Sequence, residues 1–256
     1  MEDKINKPDL FKNLKTKQIG RNLFHFDSID STNIKAKELA KDNCPHGTIV
    51  VAEEQISGNG RFKRLWNSPL GGLWFTLVLR PKIPTSESPK ITQIAAASIY
   101  KTFKNFNIDS KIKWPNDLII NDKKICGILL ESRISSHMEG LILGIGININ
   151  NESFSSNLNA TSLYLETNKK EDIKSILFEV LESILLHIDN LKSGKSDHIN
   201  IINEYNYLYL KNAYAVINDK KVLVKVLNIL DNNHLQVQYN NDIIEVSTDE
   251  ISFHKD

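Results

Sequence analysis

A chain of 256 residues, 41% hydrophobic and 25% charged, is long enough for one substantial core plus a small second unit, and its composition is that of an ordinary soluble protein. A formal net charge of +1 excludes nucleic-acid recognition by a bulk field, and two cysteines, Cys44 and Cys126, exclude a disulfide scaffold and fit a reducing cytosol. The opening MEDKINKPDLFKNLKTKQIG has basic residues but no apolar stretch of the signal-peptide kind, and no apolar run approaches the roughly 20 residues of a membrane span.

Residues 1–21 read as a polar arm. A strand at Asn22–Phe26 leads to Asp30-Ser31-Thr32-Asn33, whose side-chain oxygens suit a helix N-cap, and a helix over Ile34–Lys41 follows. Thr48–Glu53 is a β-branched run and predicts a buried strand. Ile56–Ser68 is polar, basic and glycine-bearing, hence a loop, and Gly72–Leu79 is a strand. Ser88-Pro89 opens a helix, with proline where its missing N–H costs nothing; Ile91, Ile94, Ala95, Ile99 and Phe103 form its apolar face. Strands recur at Lys111–Trp114, Asp117–Ile120, Ile125–Glu131 and Gly140–Asn148, with a tight turn at Asn121–Lys123. Asp172–Leu191 carries apolar residues at helical spacing throughout, Gly194 suits its exit, and a second helix spans Asp197–Tyr207. From Ala213 the period falls to two, in short strands at Ala213–Ile217, Lys221–Leu227, Leu235–Tyr239 and Ile243–Ser247. A boundary near Lys211 therefore separates an α+β unit, a mixed or antiparallel sheet with helices on one face, from a small β-barrel.

Four segments can carry chemistry. In Ser57-Gly58-Asn59-Gly60-Arg61-Phe62-Lys63-Arg64, two glycines let backbone approach an anion, and arginine can clamp phosphate or carboxylate in a bidentate way. The loop is neither a Walker A loop nor a dinucleotide fingerprint, and a solvated basic turn is an equal reading. In Lys113-Trp114-Pro115-Asn116-Asp117, proline holds Trp114 extended; Asp117 offers a carboxylate to magnesium, or the segment is only a turn. In Lys124-Ile125-Cys126-Gly127, the lysine either neutralises a phosphate or is an exposed hairpin residue, while Gly127 marks a close approach. In Gly144-Ile145-Gly146-Ile147-Asn148, glycines at period two leave one strand face bare, for a flat ligand or for tight packing. Cys126 sits in an apolar run and reads as a packing residue. The histidines show no metal-ligand spacing, and no G-x-S-x-G elbow anchors a hydrolase triad.

Together Asp30-Ser31-Thr32-Asn33, the Gln55–Arg64 loop, Trp66-Asn67-Ser68-Pro69, KWPND, KICGIL and GIGIN resemble, in order and spacing, the catalytic domain of biotin–protein ligases, also called biotin–acetyl-CoA-carboxylase ligases. The resemblance runs from about Phe24 to the C-terminus. It implies a class II aminoacyl-tRNA-synthetase-like catalytic domain at 22–210 and an SH3-like C-terminal domain at 211–256. It further implies an ATP-dependent ligase that makes biotinyl-5′-AMP and transfers biotin to a lysine of a biotin carboxyl carrier protein, the acetyl-CoA carboxylase subunit. The implied cofactors and substrates are ATP, biotin and Mg2+. By the same resemblance Ser31, Thr32, Asn33, Gln55, Gly58, Asn59, Gly60, Arg61, Lys124, Gly127, Gly144 and Gly146 bind biotin. Arg61, Arg64, Trp66, Asn116, Lys124 and Asn148 bind ATP or the adenylate, Lys124 and Arg61 carry the chemistry, and Asp117 takes the metal.

The family loop reads Gly-Arg-Gly-Arg-x-Gly-Arg. Here Asn59 replaces its first arginine and Lys63 its third glycine, and Lys63 tolerates positive φ less well. Regulatory members carry an N-terminal helix-turn-helix domain; some 20 residues precede the catalytic part here, which implies the non-repressor type, with no DNA and no membrane partner, cytoplasmic, and a monomer or weak homodimer. Two rivals stand beside this reading. A lipoate–protein ligase or octanoyl transferase shares the fold but needs a long acyl tunnel. A nucleic-acid or adaptor module would use the basic loop and the barrel, and the near-neutral charge argues against the nucleic-acid form.

Overall fold

The computed structural model describes residues 22–134, 138–217, 220–247 and 251–252. The expected polar arm at 1–21 lies outside the described residues. Seven strands form the larger sheet: β1 (Leu23–Ile29), β2 (Thr48–Gln55), β3 (Leu73–Leu79), β4 (Lys111–Lys113), β5 (Asp117–Ile120), β6 (Lys123–Ile134) and β7 (Met138–Ile147). Their order is β1-β2-β3-β7-β6-β5-β4. Only β1 and β2 pair in parallel, joined by helix α1 (Thr32–Lys41); every other neighbouring pair is antiparallel. A parallel pair needs such a crossover, whereas Asn121 and Asp122, both at positive φ, turn β5 directly into β6 as expected.

Strand alternation sorts the core. Ile49, Val51, Leu77, Leu79, Leu141 and Leu143 point to one face and pack with helices α2 (Lys90–Asn105) and α4 (Ile173–Lys192). Their neighbours Val50, Val78 and Ile142 point to the other face and pack with Ala36 and Ala40 of α1. The mixed α+β sheet is the expected one, and its long helices share a face; α1 is added on the opposite face, because those three apolar residues need cover.

Most elements lie within a few residues of expectation. α4 is capped by Asp172, whose side chain accepts from Lys174 N at 3.2 Å, and Gly194 leaves it at φ +75°. Helix α5 (Asp197–Glu204) stops three residues short of Tyr207, because Ile112 N donates to Tyr205 O and Tyr207 N donates to Ile112 O, so the chain turns extended along the edge of β4. β4 itself ends one residue early, before a cis Trp114–Pro115 bond. The short helix α3 (Leu163–Thr167), capped by Ser162, has no counterpart in the sequence reading, since five residues are too few to show a period.

The second sheet holds β8 (Asn212–Ile217), β9 (Lys220–Ile229), β10 (Leu235–Tyr239), β11 (Asp242–Val246) and the two-residue β12 (Ile251–Ser252), in the order β11-β10-β9-β8-β12, all antiparallel. Its inward residues, among them Val224, Val226, Leu235 and Val237, belong to the same apolar cluster as α2 and α4. Among the described residues no helix is long and apolar enough to cross a membrane.

Candidate active site

On the face shared with α1, β3, β6 and β7 run on past the helix, and glycine replaces the apolar residues there. Leu129 lies opposite Gly144 and Gly127 opposite Gly146, continuing the row that starts with Glu131 opposite Ile142. A cavity of about 360 Å³ opens above these glycines. Of the expected residues, Thr32, Asn33, Gln55, Asn59, Gly60, Arg61, Arg64, Trp66, Asn116, Asp117, Lys124, Gly127, Gly144, Gly146 and Asn148 all line it. Ser31 and Gly58 are not in the lining. Ser31 is buried behind the wall, 3.4 Å from Asn59 Nδ2. A Cβ on Gly58 would overlap Trp66 O, so this glycine serves the loop's own closure.

Gly144 and Gly146 of β7 do different things. A Cβ on Gly144 would overlap Asn33 Oδ1, and one on Gly146 would overlap Trp66 Nε1. The bare strand face expected to take a flat ligand is thus overlain partly by Asn33 and partly by the Trp66 indole. Trp66 Nε1 is buried without a hydrogen-bond partner, and Trp74 meets the indole edge-on at 6.5 Å.

At the N-terminus of α1 the expected side-chain cap is absent: Ser31 is extended and makes no capping bond. Instead Gln55, at the end of β2, accepts from Thr32 N at 2.8 Å through Oε1, and its Nε2 donates to Ser68 Oγ at 2.8 Å. The helix entry is therefore held by the start and end of the loop that covers the site.

That loop, 56–68, folds back on itself. Trp66 N donates to Gly58 O at 2.8 Å and Gly60 N to Arg64 O at 2.7 Å, with Phe62 and Lys63 at φ +56° and +57° at its tip. Lys63 therefore takes the left-handed conformation that the replaced glycine would adopt without strain. Arg61 crosses the opening, its Nη1 3.3 Å from Asn116 Oδ1, while Asn116 Nδ2 donates to Ile128 O at 2.9 Å. Phe62 and Leu65 are each 74% exposed, so the tip offers apolar surface to whatever it closes on.

Lys124, at the start of β6, carries the charge of the inner wall. Its ammonium lies 2.7 Å from Asp117 Oδ1 and 4.9 Å from the centroid of the Trp66 ring. Its backbone holds segment 159–161: Lys124 N donates to Asn159 O and Thr161 N to Lys124 O, while Asn148 Nδ2 donates to Thr161 O at 2.9 Å. The Asn148 amide nitrogen therefore braces this segment. Phe154, Leu158, Asn159 and Ala160 also line the cavity and were not expected. The signal available was two apolar residues in an otherwise polar loop, NESFSSNLNA.

Asp117, the expected metal ligand, is paired with Lys124, and among the described residues no group of three or more His, Cys, Asp and Glu is placed to hold a metal. Cys126 is fully buried, and burial pushes its thiol well above the ordinary range, which suits packing and not nucleophilic attack.

A sequence profile described as the Biotin/lipoate A/B protein ligase family matches residues 25–148, the stretch that builds this cavity. Residues 25–148 carry a domain of this family. The chain is similar to the bifunctional ligase/repressor BirA of Bacillus subtilis, 38% identical over 185 residues, 70% of this chain and 57% of that one. It is also similar to the biotin–[acetyl-CoA-carboxylase] ligase of Paracoccus denitrificans, 37% identical over 124 residues, 47% of this chain and 51% of that one. The chain thus spans little more than half the length of these curated relatives. Among solved structures, the biotin protein ligase of Aquifex aeolicus in complex with biotin and ATP superposes with a TM-score of 0.81 at 27% identity, covering 93% of this chain and all of that one.

Proposed function

We propose that this protein activates biotin with ATP to biotinyl-5′-adenylate and transfers the biotinyl group to a lysine of a carrier protein. The observation that carries the reading is that Lys124 and Arg61, from elements far apart in sequence, line one cavity floored by Gly127 and Gly146. A Biotin/lipoate family relative solved with biotin and ATP shares its fold.

The biotin carboxylate attacks the α-phosphorus of ATP, a carboxyl O–P bond forms, and pyrophosphate leaves. A carboxylate is already a nucleophile, so no serine or cysteine is needed; the protein positions the reactants and neutralises charge. Lys124 sits between the carboxylate and the α-phosphate, Arg61 and Arg64 meet the nucleotide from the loop, and Trp66 and Asn116 bound the adenosine side. Thr32, Asn33 and Gln55 face the biotin head group. The acceptor lysine, as the free amine, then attacks the acyl carbon, an amide forms and AMP leaves; a closed loop keeps water from that carbon. Magnesium enters with the triphosphate, since it prefers phosphate and water oxygens plus one or two carboxylates, and a lone Asp117 already paired with a lysine makes no resident cage.

Residues 22–210 form the catalytic unit in this reading, and 211–256 an SH3-like unit. The carrier protein of acetyl-CoA carboxylase is the acceptor, as the name of the Paracoccus relative implies for that enzyme. The test is to mix the chain with ATP, magnesium and biotin and look for biotinyl-adenylate by mass spectrometry, with lipoate in parallel. Adenylate from biotin and none from lipoate is expected; the reverse outcome would falsify the reading.

A further inference from the structure

A second cavity, of about 420 Å³, lies against the first, and Arg61, Asn116 and Ile128 line both. Pro89, Pro115 and Leu130 give it apolar walls. Its other polar atoms are neutral: hydroxyls of Ser88 and Thr92 at the entry of α2 and of Ser132 on β6, and the amide of Asn233 in the turn between β9 and β10. The second sheet therefore supplies part of a cavity that adjoins the reacting centre. Asn233 stands at φ +66°, and its Oδ1 is buried without a hydrogen-bond partner.

Among the described residues Arg61 is the only charged one in this lining. Carboxylates on the same segments are held elsewhere: Glu87 and Asp231 by Lys90 at 3.6 and 2.7 Å, Glu131 by Lys37 and Asp117 by Lys124, each at 2.7 Å. The covering loop adds only cations, Arg61, Lys63 and Arg64, and His234 in the turn lies 3.6 Å from Glu245. An amine entering here meets oxygens that can accept its N–H bonds, a cation nearby and no free carboxylate. Burial and the neighbouring Arg61 both favour its uncharged form, which is the nucleophile. The apolar walls suit the methylene stem of a lysine.

We propose that this second cavity admits the acceptor lysine, and that Asn233, brought by the second sheet, accepts a hydrogen bond from its amine. The proposal rests on the biotin reading. The amine nitrogen bonds to the acyl carbon of the adenylate, the carboxyl–phosphate bond breaks, AMP leaves with the electron pair, and one amine proton passes to solvent. The two half-reactions then use different walls: adenylate formation needs the first cavity alone, and transfer needs both.

The test compares biotin-dependent ATP–pyrophosphate exchange with labelling of the biotin carboxyl carrier domain of acetyl-CoA carboxylase, in the full chain. Asn233→Asp keeps the size and tolerates the same positive φ, but a carboxylate would hold the lysine as its ammonium. Labelling should fall about tenfold at pH 7 and its pH profile should move up by about one unit, with exchange unchanged. Thr92→Tyr fills the cavity and should cut labelling at least about tenfold, while hydroxylamine, a small nucleophile, still discharges the adenylate. An unmoved pH profile in Asn233→Asp overturns the proposal alone, even should Thr92→Tyr fail to fold. Slower exchange in both variants would place the phosphate tail of ATP here instead and overturns it too. Adenylate without carrier labelling in the wild type overturns this proposal and leaves biotin activation standing, whereas no adenylate at all overturns the biotin reading itself.

Discussion

The ammonium of Lys124 lies 2.7 Å from the carboxylate of Asp117, so the cation assigned to the substrate anions has an internal partner. Both side chains are partly exposed, at 31% and 21%, and such a pair is loosely held, which lets an incoming carboxylate and phosphate share the lysine. Lys124→Ala removes the donor from the step in which negative charge builds, and biotin-dependent ATP–pyrophosphate exchange should fall by about 10²–10³-fold. Exchange at the wild-type rate would remove Lys124 from the mechanism.

Arg61 ties the covering loop to the opposite wall through Asn116. Arg61→Gly should let the adenylate escape, shortening its retention by at least about tenfold, the cost of one charge-assisted contact. The readout is biotin appearing on bystander lysines of an added unrelated protein. Strict labelling of the proper acceptor by this variant would contradict the assignment.

Gly144 and Gly146 should respond differently to alanine. At Gly144 the new methyl displaces Asn33, breaking its bonds with Thr76 and Glu131, with a loss of about 2 kcal/mol or more in unfolding free energy. At Gly146 it displaces the Trp66 indole, which belongs to the loop and can move, so stability should fall by less than about 1 kcal/mol while nucleotide binding suffers. Chemical denaturation of the two variants and ATP titration separate these outcomes.

Lys63 sits at φ +57° beside Phe62 at φ +56°. Left-handed geometry costs a side chain about 1 kcal/mol, and more for a β-branched one. Lys63→Gly should slow protease nicking of the 56–68 loop severalfold, and Lys63→Val should speed it; equal rates would show that the tip is not held in this conformation.

His198 is buried among α5, α2 and the turn after β9, with Nε2 unpartnered. Burial pushes its pKa down to about 4 from the ordinary 6.5, against the pull of Asp231 and Asp197 and with His187 and Lys90 adding to the drop. A lowered folded value means that the unfolded chain binds the extra proton first. Stability should therefore be full above pH 6.5 and decline as pH falls toward 4, by about 3 kcal/mol at most. His198→Leu should flatten that slope in urea midpoints measured from pH 4 to 7; an unchanged slope would assign the effect to other groups, such as His187, also lowered by burial.

What could be read in advance follows the reach of local signals. Apolar positions along α4 repeat at helical spacing, and Gly144 and Gly146 of β7 stand two apart, so both announce themselves within a dozen residues. Thr76 does not, because within GLWFTLVL it is one more β-former and its partner Asn33 is 43 residues away. Phe154 and Leu158 were silent because their role depends on Lys124 and Asn148 holding the neighbouring segment in place. The abundance of asparagine has a structural use. Among the described residues, six of the ten non-glycine positions at positive φ are asparagine, the side chain that tolerates this geometry best.

One apolar cluster runs without a seam from β3 and α2 through Leu208 to Val226 and Val237 of the second sheet. Cutting the chain after Lys211 would lay Leu208 and its neighbours bare to water, so the shorter fragment should clump or melt, not work as a free-standing half. Heating the intact molecule should accordingly give a single sharp heat-absorption peak, both sheets letting go together.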